Sequence, residues 1–294
     1  MQALYDVPAP AKLNLFLHVT GRRPDGYHLL QSVFMLIDWC DVLHFEVRGN
    51  GTVTREDLTS ALPADDLVVR AARALQKATG CPQGVHIGVS KHIPAQAGLG
   101  GGSSDAASTL LALNRLWKLK LSRQQLHSIA LTLGADVPFF LCGASAWVEG
   151  IGDIIRPLEL EHQLPPAACA VVKPEAGLDT RMIFSHPSLK RDSSCATISG
   201  FAATHYQFGS NDLQPVAQAL CPEITQAINW LESKGLQGRM TGSGSAVFAQ
   251  ITHAVDLHDA PAAWHVKVCE NLKSHPLADW VLDEKILGEL TQDS

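Results

Sequence analysis

The sequence predicts an α+β protein of two domains, or of one large domain. The chain has 294 residues, and a domain commonly takes roughly 150. Segments that alternate like strands and segments with helical periodicity both occur along the chain. A proline-containing stretch of low order at 158–167 is the best candidate for a boundary. We therefore expect an N-terminal domain over residues 1–160 and a C-terminal domain over residues 161–294.

The first predicted strand, residues 11–19, has two different faces, because successive side chains of a strand point to opposite sides. Its apolar face carries Leu13, Leu15, Leu17 and Val19, and its other face carries Lys12, Asn14, Phe16 and His18. A turn over 21–26 and strands over 29–38 and 42–48 follow. A helix at 66–79 stops at Gly80, and a strand covers 85–93.

The later elements are predicted from helix caps and short apolar runs. Ser122 begins a helix, with Gln125 as its capping-box partner. The remaining predictions are helices at 103–118 and 222–234, short strands at 144–149, 153–157, 169–173 and 246–251, and a serine-rich loop or insertion at 187–210. The apolar stretch 128–148 is expected to be a buried loop and core segment, because Gly134, Pro138 and Gly143 interrupt it.

Composition excludes several classes of protein. With 46% hydrophobic and 18% charged residues, the chain can bury a core and does not resemble a disordered protein. Its net charge of -6 lacks the basic footprint of a general nucleic-acid or anionic-membrane binder. The N-terminal residues show no secretory signal, and the seven dispersed cysteines fit a reducing cytoplasm. No zinc motif is present. The cysteine usage leads us to expect a cytoplasmic protein, and a local basic pocket for an anionic small molecule as its partner stays open.

The loop from Gly98 to Ser104 has four glycines among its first five residues. It lies between a predicted strand and a predicted helix, where free backbone N–H groups and the helix dipole favour an anion. A flexible turn that merely caps the helix is the alternative. The P-loop, dinucleotide and protein-kinase signatures are all absent.

The glycine loop and three further motifs resemble the galactokinase, homoserine kinase, mevalonate kinase and phosphomevalonate kinase superfamily. The motifs are Pro10-Ala11-Lys12-Leu13-Asn14-Leu15 with Arg23-Pro24-Asp25-Gly26-Tyr27-His28, Pro94-x-x-x-Gly98-Leu99-Gly100-Gly101-Gly102-Ser103-Ser104-Asp105-Ala106-Ala107, Gly134-Ala135-Asp136-Val137-Pro138-Phe139-Phe140, and Arg239-Met240-Thr241-Gly242-Ser243-Gly244-Ser245-Ala246. They occur in the family order and together span residues 10 to 246.

This resemblance implies a kinase that uses ATP and Mg²⁺. The N-terminal motifs are similar to the branch that phosphorylates the 2-hydroxyl of 4-diphosphocytidyl-2-C-methyl-D-erythritol, an isoprenoid precursor of the non-mevalonate pathway. It further implies a ribosomal-protein-S5-like N-terminal domain for ATP binding and catalysis, a ferredoxin-like C-terminal domain for substrate binding, and an active site between them.

The resemblance assigns catalysis to Lys12 and Asp136. Asp136 alone could be a helix cap or turn residue, whereas the family role is general base for the attacking hydroxyl. Lys12 alone could be a solvated lysine. A buried cation there would keep Asp136 ionised and stabilise charge on the transferring phosphoryl group.

The family pattern also implies the binding residues. We expect ATP at Pro94, Ala95, Gln96, Ala97, Gly98, Leu99, Gly100, Gly101, Gly102, Ser103 and Ser104. We expect substrate at Asn14, Tyr27, His28, Thr180 and Phe184, with Tyr27 and Phe184 stacking on cytosine and His28 reading its edge.

Several further residues carry weaker expectations. Asp66 occupies an asparagine position of the family, and helix capping is its safer role. Lys91 is expected near the nucleotide, and Arg22, Arg23 and Lys173 are candidates that would help Lys12 to make the pocket positive. Metal ligands are not predicted, although Ser104 and Asp105 are candidates. The Gly242–Gly244 turn is expected to face the phosphates, or else only to connect strands.

Two other functions remain open from the sequence. One is a sister kinase for homoserine or a mevalonate-type alcohol, against which the Tyr27-His28 pair argues. The other is a nucleotide-binding protein without catalysis, against which the retention of both Lys12 and Asp136 argues.

Overall fold

The computed structural model describes residues 2–281. Two sheets, each covered by helices, confirm the predicted α+β class and give one sheet to each half of the chain. The end of the predicted C-terminal domain, residues 282–294, lies outside the described residues, as does Met1. The boundary stretch 158–167 contains only a short 3₁₀ turn, Leu160–His162.

The N-terminal half contains six strands and four helices. They are β1 (Ala3–Arg22), β2 (His28–Arg48), β3 (Val53–Asp57), α1 (Leu67–Thr79), β4 (Gly84–Ser90), α2 (Gly101–Leu116), α3 (Arg123–Leu131), α4 (Val137–Cys142), β5 (Ala146–Glu149) and β6 (Ile154–Pro157). The strand order is β3-β4-β2-β5-β6, and β1 pairs with β2 along most of their length.

The C-terminal half contains four strands and four helices as far as residue 281. They are β7 (Ala168–Lys173), α5 (Thr180–Ser185), α6 (Ile198–Ala202), α7 (Gln214–Leu220), α8 (Pro222–Ser233), β8 (Arg239–Met240), β9 (Val247–Gln250) and β10 (His265–Glu270). The order β10-β7-β9-β8 with antiparallel neighbours is that of a ferredoxin-like sheet. The described residues 251–264 form no helix before β10, so the second crossover helix of that motif is missing.

The long hairpin of β1 and β2 carries the active-site face of the first sheet. The sequence predicts two strands where β2 is one, because Asp38 and Asp41 interrupt the apolar pattern. Pro8 and Pro10 are accommodated because β1 is an edge strand that pairs with β2 alone. No strand on its other side needs the N–H donors that the two prolines lack. Register shifts near Pro10 and Asn14 let the hairpin bend over the rest of the domain.

The predicted helix caps are present. The Asp66 side chain accepts a hydrogen bond from the backbone N–H of Val69 at the start of α1, and Gly80 ends that helix. Ser122 and Gln125 form the reciprocal capping box of α3. The helix predicted from Ser122 to Gly134 ends at Leu131. The expectation of a loop in the rest of 128–148 is wrong in part, because α4 forms after Asp136. In the part of the chain that the structure describes, no helix is long and apolar enough to cross a membrane.

Apolar packing joins the two halves. Phe16 and Trp147 from the first sheet share one buried cluster with Val171 and Phe248 from the second sheet and with Phe201 of α6. Aromatic rings within it lie 5.5 Å (Phe16–Trp147) and 6.0 Å (Phe16–Phe201) apart. The polar face of β1 is therefore held at a fixed position beside the second domain.

We expect Ser122→Ala to lower the free energy of unfolding by about 1 kcal/mol, because it leaves an N–H at the start of α3 without its acceptor. Urea denaturation measures the change. Ser128→Ala on the exposed face of the same helix is the control and should be within about 0.5 kcal/mol of the parent. Equal stability of the two variants would contradict the capping role.

Candidate active site

A cleft of two adjoining cavities lies between the halves of the chain. One cavity has a volume of about 600 Å³ and the other about 550 Å³. Both are lined by Gly98, Gly100, Thr180 and Ser243, so the two glycine turns stand where the cavities meet. The cleft can therefore hold two ligands with their ends in contact.

The expected site residues divide between the cavities. Those expected for catalysis and substrate binding line the larger cavity: Lys12, Asn14, Tyr27, His28, Asp136, Thr180 and Phe184. Residues 94–103 all line the smaller cavity. Ser104 departs from its expected role, because it is fully buried in the first turn of α2 and lines neither cavity.

Lys12 is a buried cation that lines the larger cavity beside the glycine loop. Its residue is only 3% exposed, and its backbone N–H donates to the carbonyl of Leu99 in the glycine loop. The ammonium donates to Asn14 Oδ1 over 2.5 Å and lies 3.7 Å from Asp136 Oδ2. It also lies 4.6 Å from the centre of the Phe34 ring. These contacts fix the ammonium in the larger cavity, next to the glycine loop.

Asn14 connects Lys12 to the strand pair beneath it. Its amide Nδ2 donates to Ser32 Oγ over 2.9 Å, and that hydroxyl donates to the Phe16 carbonyl. The Asn14 backbone N–H donates to Thr241 Oγ1 over 2.7 Å, which brings the second glycine turn to the same strand. Asn14 therefore orients Lys12 as well as lining the cavity.

Burial lowers the pKa of Lys12, because a desolvated ammonium is disfavoured, while the Asp136 carboxylate opposes that shift. Asp136 precedes α4 without capping it through its side chain, so its carboxylate is left free to face the cavity. That side chain is 35% exposed. The pair combines a shielded cation with an accessible carboxylate.

The glycine loop and the second glycine turn approach each other through bare backbone. Gly98 has φ +72°, and a Cβ there would collide with the carbonyl oxygen of Thr241. Gly242 has φ +55°, and its Cβ would lie 2.9 Å from the carbonyl oxygen of Gly98. Only glycine permits this approach without strain.

Backbone hydrogen bonds tie the two turns together. The N–H groups of Ser245 and Ala246 donate to the carbonyls of Gln96 and Ala97, each over 3.2 Å. Ser243 Oγ and Thr180 Oγ1, both in the C-terminal half, share a hydrogen bond of 2.7 Å and line both cavities. The second turn thus does more than connect strands, because it holds the loop that separates the cavities.

A buried ion cluster lies under the glycine loop. The Lys91 ammonium contacts both Asp41 and Asp105, and it donates to Asp105 Oδ2 over 2.5 Å. Asp41 Oδ1 also accepts from the backbone N–H groups of His92 and Ile93. Burial, with the adjacent Asp41 carboxylate, raises the pKa of Asp105 to about 8 although Lys91 opposes the shift. Lys91 lines the smaller cavity, where the sequence places it near the nucleotide.

The far end of the larger cavity is aromatic. Tyr27 is 60% exposed, which leaves its ring face open to a ligand. The His28 and Phe184 rings lie 5.1 Å apart at 32°, so Phe184 packs on His28 in the free protein. Thr180, Arg181 and Ser185 continue this wall along α5.

Several site residues carry no signal in the sequence. Asp41 is an isolated acid in a strand, and its ion partners become visible only in the fold. Arg181 lines the larger cavity without such a signal. Of the candidates for a positive pocket, Arg22 lines the larger cavity and Arg23 lines neither cavity, whereas Lys173 is buried and donates to the carbonyls of Pro174 and Ala176. The suggestion that Lys173 makes the pocket positive is therefore wrong.

The described residues hold one cluster with the spacing of a metal site, formed by Glu159, Glu161 and His162. None of the three lines either cavity. Asp105, a candidate metal ligand from the sequence, already contacts the Lys91 ammonium, which stands where a metal ion bound to Asp105 would lie.

Comparisons with known proteins agree with this geometry. Residues 66–144 match the family described as GHMP kinases N terminal domain, and residues 197–268 match GHMP kinases C terminal. A protein of Acidovorax ebreus (strain TPSY) named 4-diphosphocytidyl-2-C-methyl-D-erythritol kinase is 99% identical over 96% of this chain and 99% of its own length. The chain belongs to the 4-diphosphocytidyl-2-C-methyl-D-erythritol kinase family of GHMP kinases.

Two further relatives support the assignment. A protein of Paracidovorax citrulli (strain AAC00-1) with the same name is 70% identical over 97% of this chain and 100% of its own length. A crystal structure of 4-(cytidine 5'-diphospho)-2C-methyl-D-erythritol kinase superposes with a TM-score of 0.74 at 31% identity, covering 90% of this chain and 98% of that one.

The Asp105 carboxyl predicts a pH dependence of stability. Its pKa is raised from 3.8 to about 8 in the fold, so the fold favours the protonated form. The contribution of this group to the free energy of unfolding therefore falls as pH rises through that interval, by at most about 1.4 kcal/mol per pH unit. Asp105→Asn removes the titrating group, and we expect a flatter profile in urea denaturation at several pH values.

Asp192→Asn is the control for this measurement, since Asp192 is exposed and removal of its charge should leave the slope of the parent unchanged. A slope that Asp105→Asn does not alter would exclude titration of Asp105 in this range.

Proposed function

We propose that this protein transfers the γ-phosphoryl group of ATP to the 2-hydroxyl of 4-diphosphocytidyl-2-C-methyl-D-erythritol, with Lys12 and Asp136 as its catalytic pair. The observation that carries the proposal is the position of this pair, 3.7 Å apart, in the larger cavity beside the glycine loop, whose Gly98 and Gly100 line both cavities. One cavity is bounded by a glycine-rich loop suited to phosphates, and the other by aromatic rings suited to a base.

The pair supports a direct transfer between the two ligands. The Asp136 carboxylate accepts the hydroxyl proton as the oxygen attacks phosphorus, and the proton stays on that carboxyl until product leaves. The Lys12 ammonium attracts the negative charge that the phosphoryl oxygens carry in the transition state. Its burial strengthens that attraction, because little water is present to screen it. No phosphorylated enzyme is needed.

The larger cavity favours a cytidine substrate over the alcohols that sister kinases phosphorylate. Tyr27, His28 and Phe184 form an aromatic end that homoserine or mevalonate would leave unused. The catalytic pair argues against a protein that only binds nucleotide. An assay that supplies MgATP with each candidate alcohol and follows ADP release tests the proposal, and turnover restricted to homoserine or mevalonate would overturn it.

Membership of the kinase family implies ATP as the phosphate donor, and we propose that Mg²⁺ enters bound to it. The protein offers few ligands of its own, because Ser104 is buried and Asp105 contacts Lys91. The nucleotide phosphates and water therefore hold the ion. We also propose the cytoplasm as its location and a small molecule, rather than nucleic acid or membrane, as its partner.

We expect Lys12→Met and Asp136→Asn each to lower kcat by about 10²–10⁴-fold, since one removes the transition-state cation and the other the proton acceptor. Steady-state ADP release measures kcat, and urea denaturation checks that each variant is folded. Lys77→Met and Asp256→Asn alter exposed charges outside the cleft and serve as matched controls. Near-normal turnover by a folded variant of either catalytic residue would remove that residue from the mechanism.

We expect Tyr27→Ala to raise KM for the cytidine substrate by roughly tenfold or more, because base stacking contributes about 1–3 kcal/mol, while KM for ATP is unchanged. Tyr5→Ala is a closely matched control, since Tyr5 and Tyr27 are both 60% exposed and only Tyr27 lines the cavity. Equal KM values for the two variants would show that Tyr27 does not contact the base.

A further inference from the structure

Arg191 contacts His28 across the two halves of the chain. Arg191 follows α5 in the serine-rich loop, and its Nε donates to His28 Nε2 over 3.0 Å. The rest of the guanidinium is held by backbone carbonyls. Nη1 donates to Leu189, and Nη2 donates to Phe184 and His186, over distances of 2.9 to 3.1 Å. Both the position and the direction of its Nε–H bond are therefore fixed.

This contact decides where His28 carries its proton. A guanidinium has only donors and stays protonated in proteins. Nε2 of His28 must therefore be the acceptor, which leaves the ring proton on Nδ1. Protonation of Nε2 would place two N–H groups against each other, so the contact also excludes the imidazolium form.

The second ring nitrogen is available to a ligand. His28 is 8% exposed and lines the larger cavity, and among residues 2–281 its Nδ1 has no hydrogen-bond partner. Phe184 packs on the ring and limits its rotation. His28 thus presents one oriented N–H donor in a wall that otherwise offers aromatic faces.

We propose that Arg191 is a positioning and specificity-determining residue that holds His28 as the neutral Nδ1–H tautomer. His28 Nδ1–H then donates a hydrogen bond to an acceptor atom on the edge of a bound base. The inference rests on the proposed function only in taking a cytosine as that base. Cytosine presents a bare N3 between its O2 and amino group, whereas uracil carries a hydrogen on N3 that would oppose the His28 donor. The contact therefore selects cytosine over uracil.

The surrounding charges keep His28 neutral. Burial, Arg191 and Arg22 all lower the pKa of His28. Arg191 approaches from the loop after α5 and Arg22 from the end of β1, while the ring packed against His28, that of Phe184, does not titrate. Among residues 2–281, no acid contributes to the shift. His28 therefore keeps its donor and acceptor pattern in mildly acidic solution.

The first test is ¹⁵N nuclear magnetic resonance of the His28 ring in the full-length wild-type protein. The expected result is a protonated Nδ1 and an unprotonated Nε2 that do not change between about pH 5.5 and 8, where an ordinary histidine titrates. A proton on Nε2, or titration of the ring within this interval, overturns the proposal. The measurement requires neither a variant nor catalysis.

The second test is a double-mutant cycle on Arg191 and His28. Arg191→Gln should raise KM for the cytidine substrate by about tenfold with kcat within about twofold, and it should make that KM depend on pH below 7. In a His28→Ala background the same substitution should change KM by less than about twofold, because Arg191 acts through His28. If the effects of the two substitutions on KM multiply in the double variant, Arg191 does not act through His28 and the proposal is refuted.

Lys190→Gln is the matched control, since it removes a neighbouring exposed cation and should leave KM and its pH dependence at the wild-type values. Arg191→Lys retains a cationic donor and should recover part of the affinity. Two results together would assign Arg191 a purely structural role and contradict the proposal. Arg191→Lys would recover none of the affinity, and the His28 tautomer would be unchanged in Arg191→Gln.

The third test separates this inference from the proposed reaction. Calorimetry with cytidine and uridine monophosphates measures base preference without turnover. The wild type should bind the cytidine compound at least about tenfold more tightly, and Arg191→Gln should lose most of that ratio. Equal binding of both compounds by the wild type overturns the inference even if the kinase assay succeeds. A cytidine preference that the wild type shows and Arg191→Gln loses supports the inference even if that assay fails. A preference that Arg191→Gln keeps in full contradicts it.

Discussion

The buried ammonium of Lys12 is the constraint on which the cleft depends. A lysine that is 3% exposed loses most of its hydration, and that loss is costly unless polar partners replace it. Asn14 Oδ1 at 2.5 Å and Asp136 at 3.7 Å provide that replacement from two separate elements. Removing either partner would leave a charge in a poorly hydrated site.

The partners of Lys12 fix the geometry around it. Asn14 is held by Ser32 on the paired strand and by Thr241 of the second domain. Lys12 itself donates from its backbone to Leu99 of the glycine loop. Through its own backbone and through Asn14, Lys12 is thus connected to β2, to the glycine loop and to the second glycine turn.

The cleft is shared between domains because two glycine turns meet without side chains. The Gly98 Cα lies too close to the Thr241 carbonyl oxygen to carry a Cβ, and the Gly242 Cα lies too close to the Gly98 carbonyl oxygen. The backbone N–H groups of Ser245 and Ala246 extend the contact by donating to the carbonyls of Gln96 and Ala97. The junction between the two turns is therefore largely backbone, and its position does not depend on flexible side chains.

Much of this arrangement follows from local sequence patterns. The period of two places Lys12 and Asn14 on the same strand face, and the cap residues Asp66 and Ser122 mark helix starts because their side chains satisfy nearby N–H groups. Such signals act over a few residues, so they can be detected without the fold.

Contacts between distant residues explain what the sequence did not predict. β2 continues through Asp41 because Lys91, 50 residues away, neutralises that carboxylate. Lys173 points at backbone carbonyls rather than into the cleft, and Arg191 reaches His28 from a loop with no periodicity. Each of these depends on how two separate segments pack, which no local pattern records.

A crystal structure of the protein with a non-hydrolysable ATP analogue and 4-diphosphocytidyl-2-C-methyl-D-erythritol would test the central claim most directly. The terminal phosphate should lie between residues 98–102 and Lys12, with the 2-hydroxyl within hydrogen-bonding distance of Asp136. A triphosphate bound away from the glycine loop, or a 2-hydroxyl far from both side chains, would contradict the account.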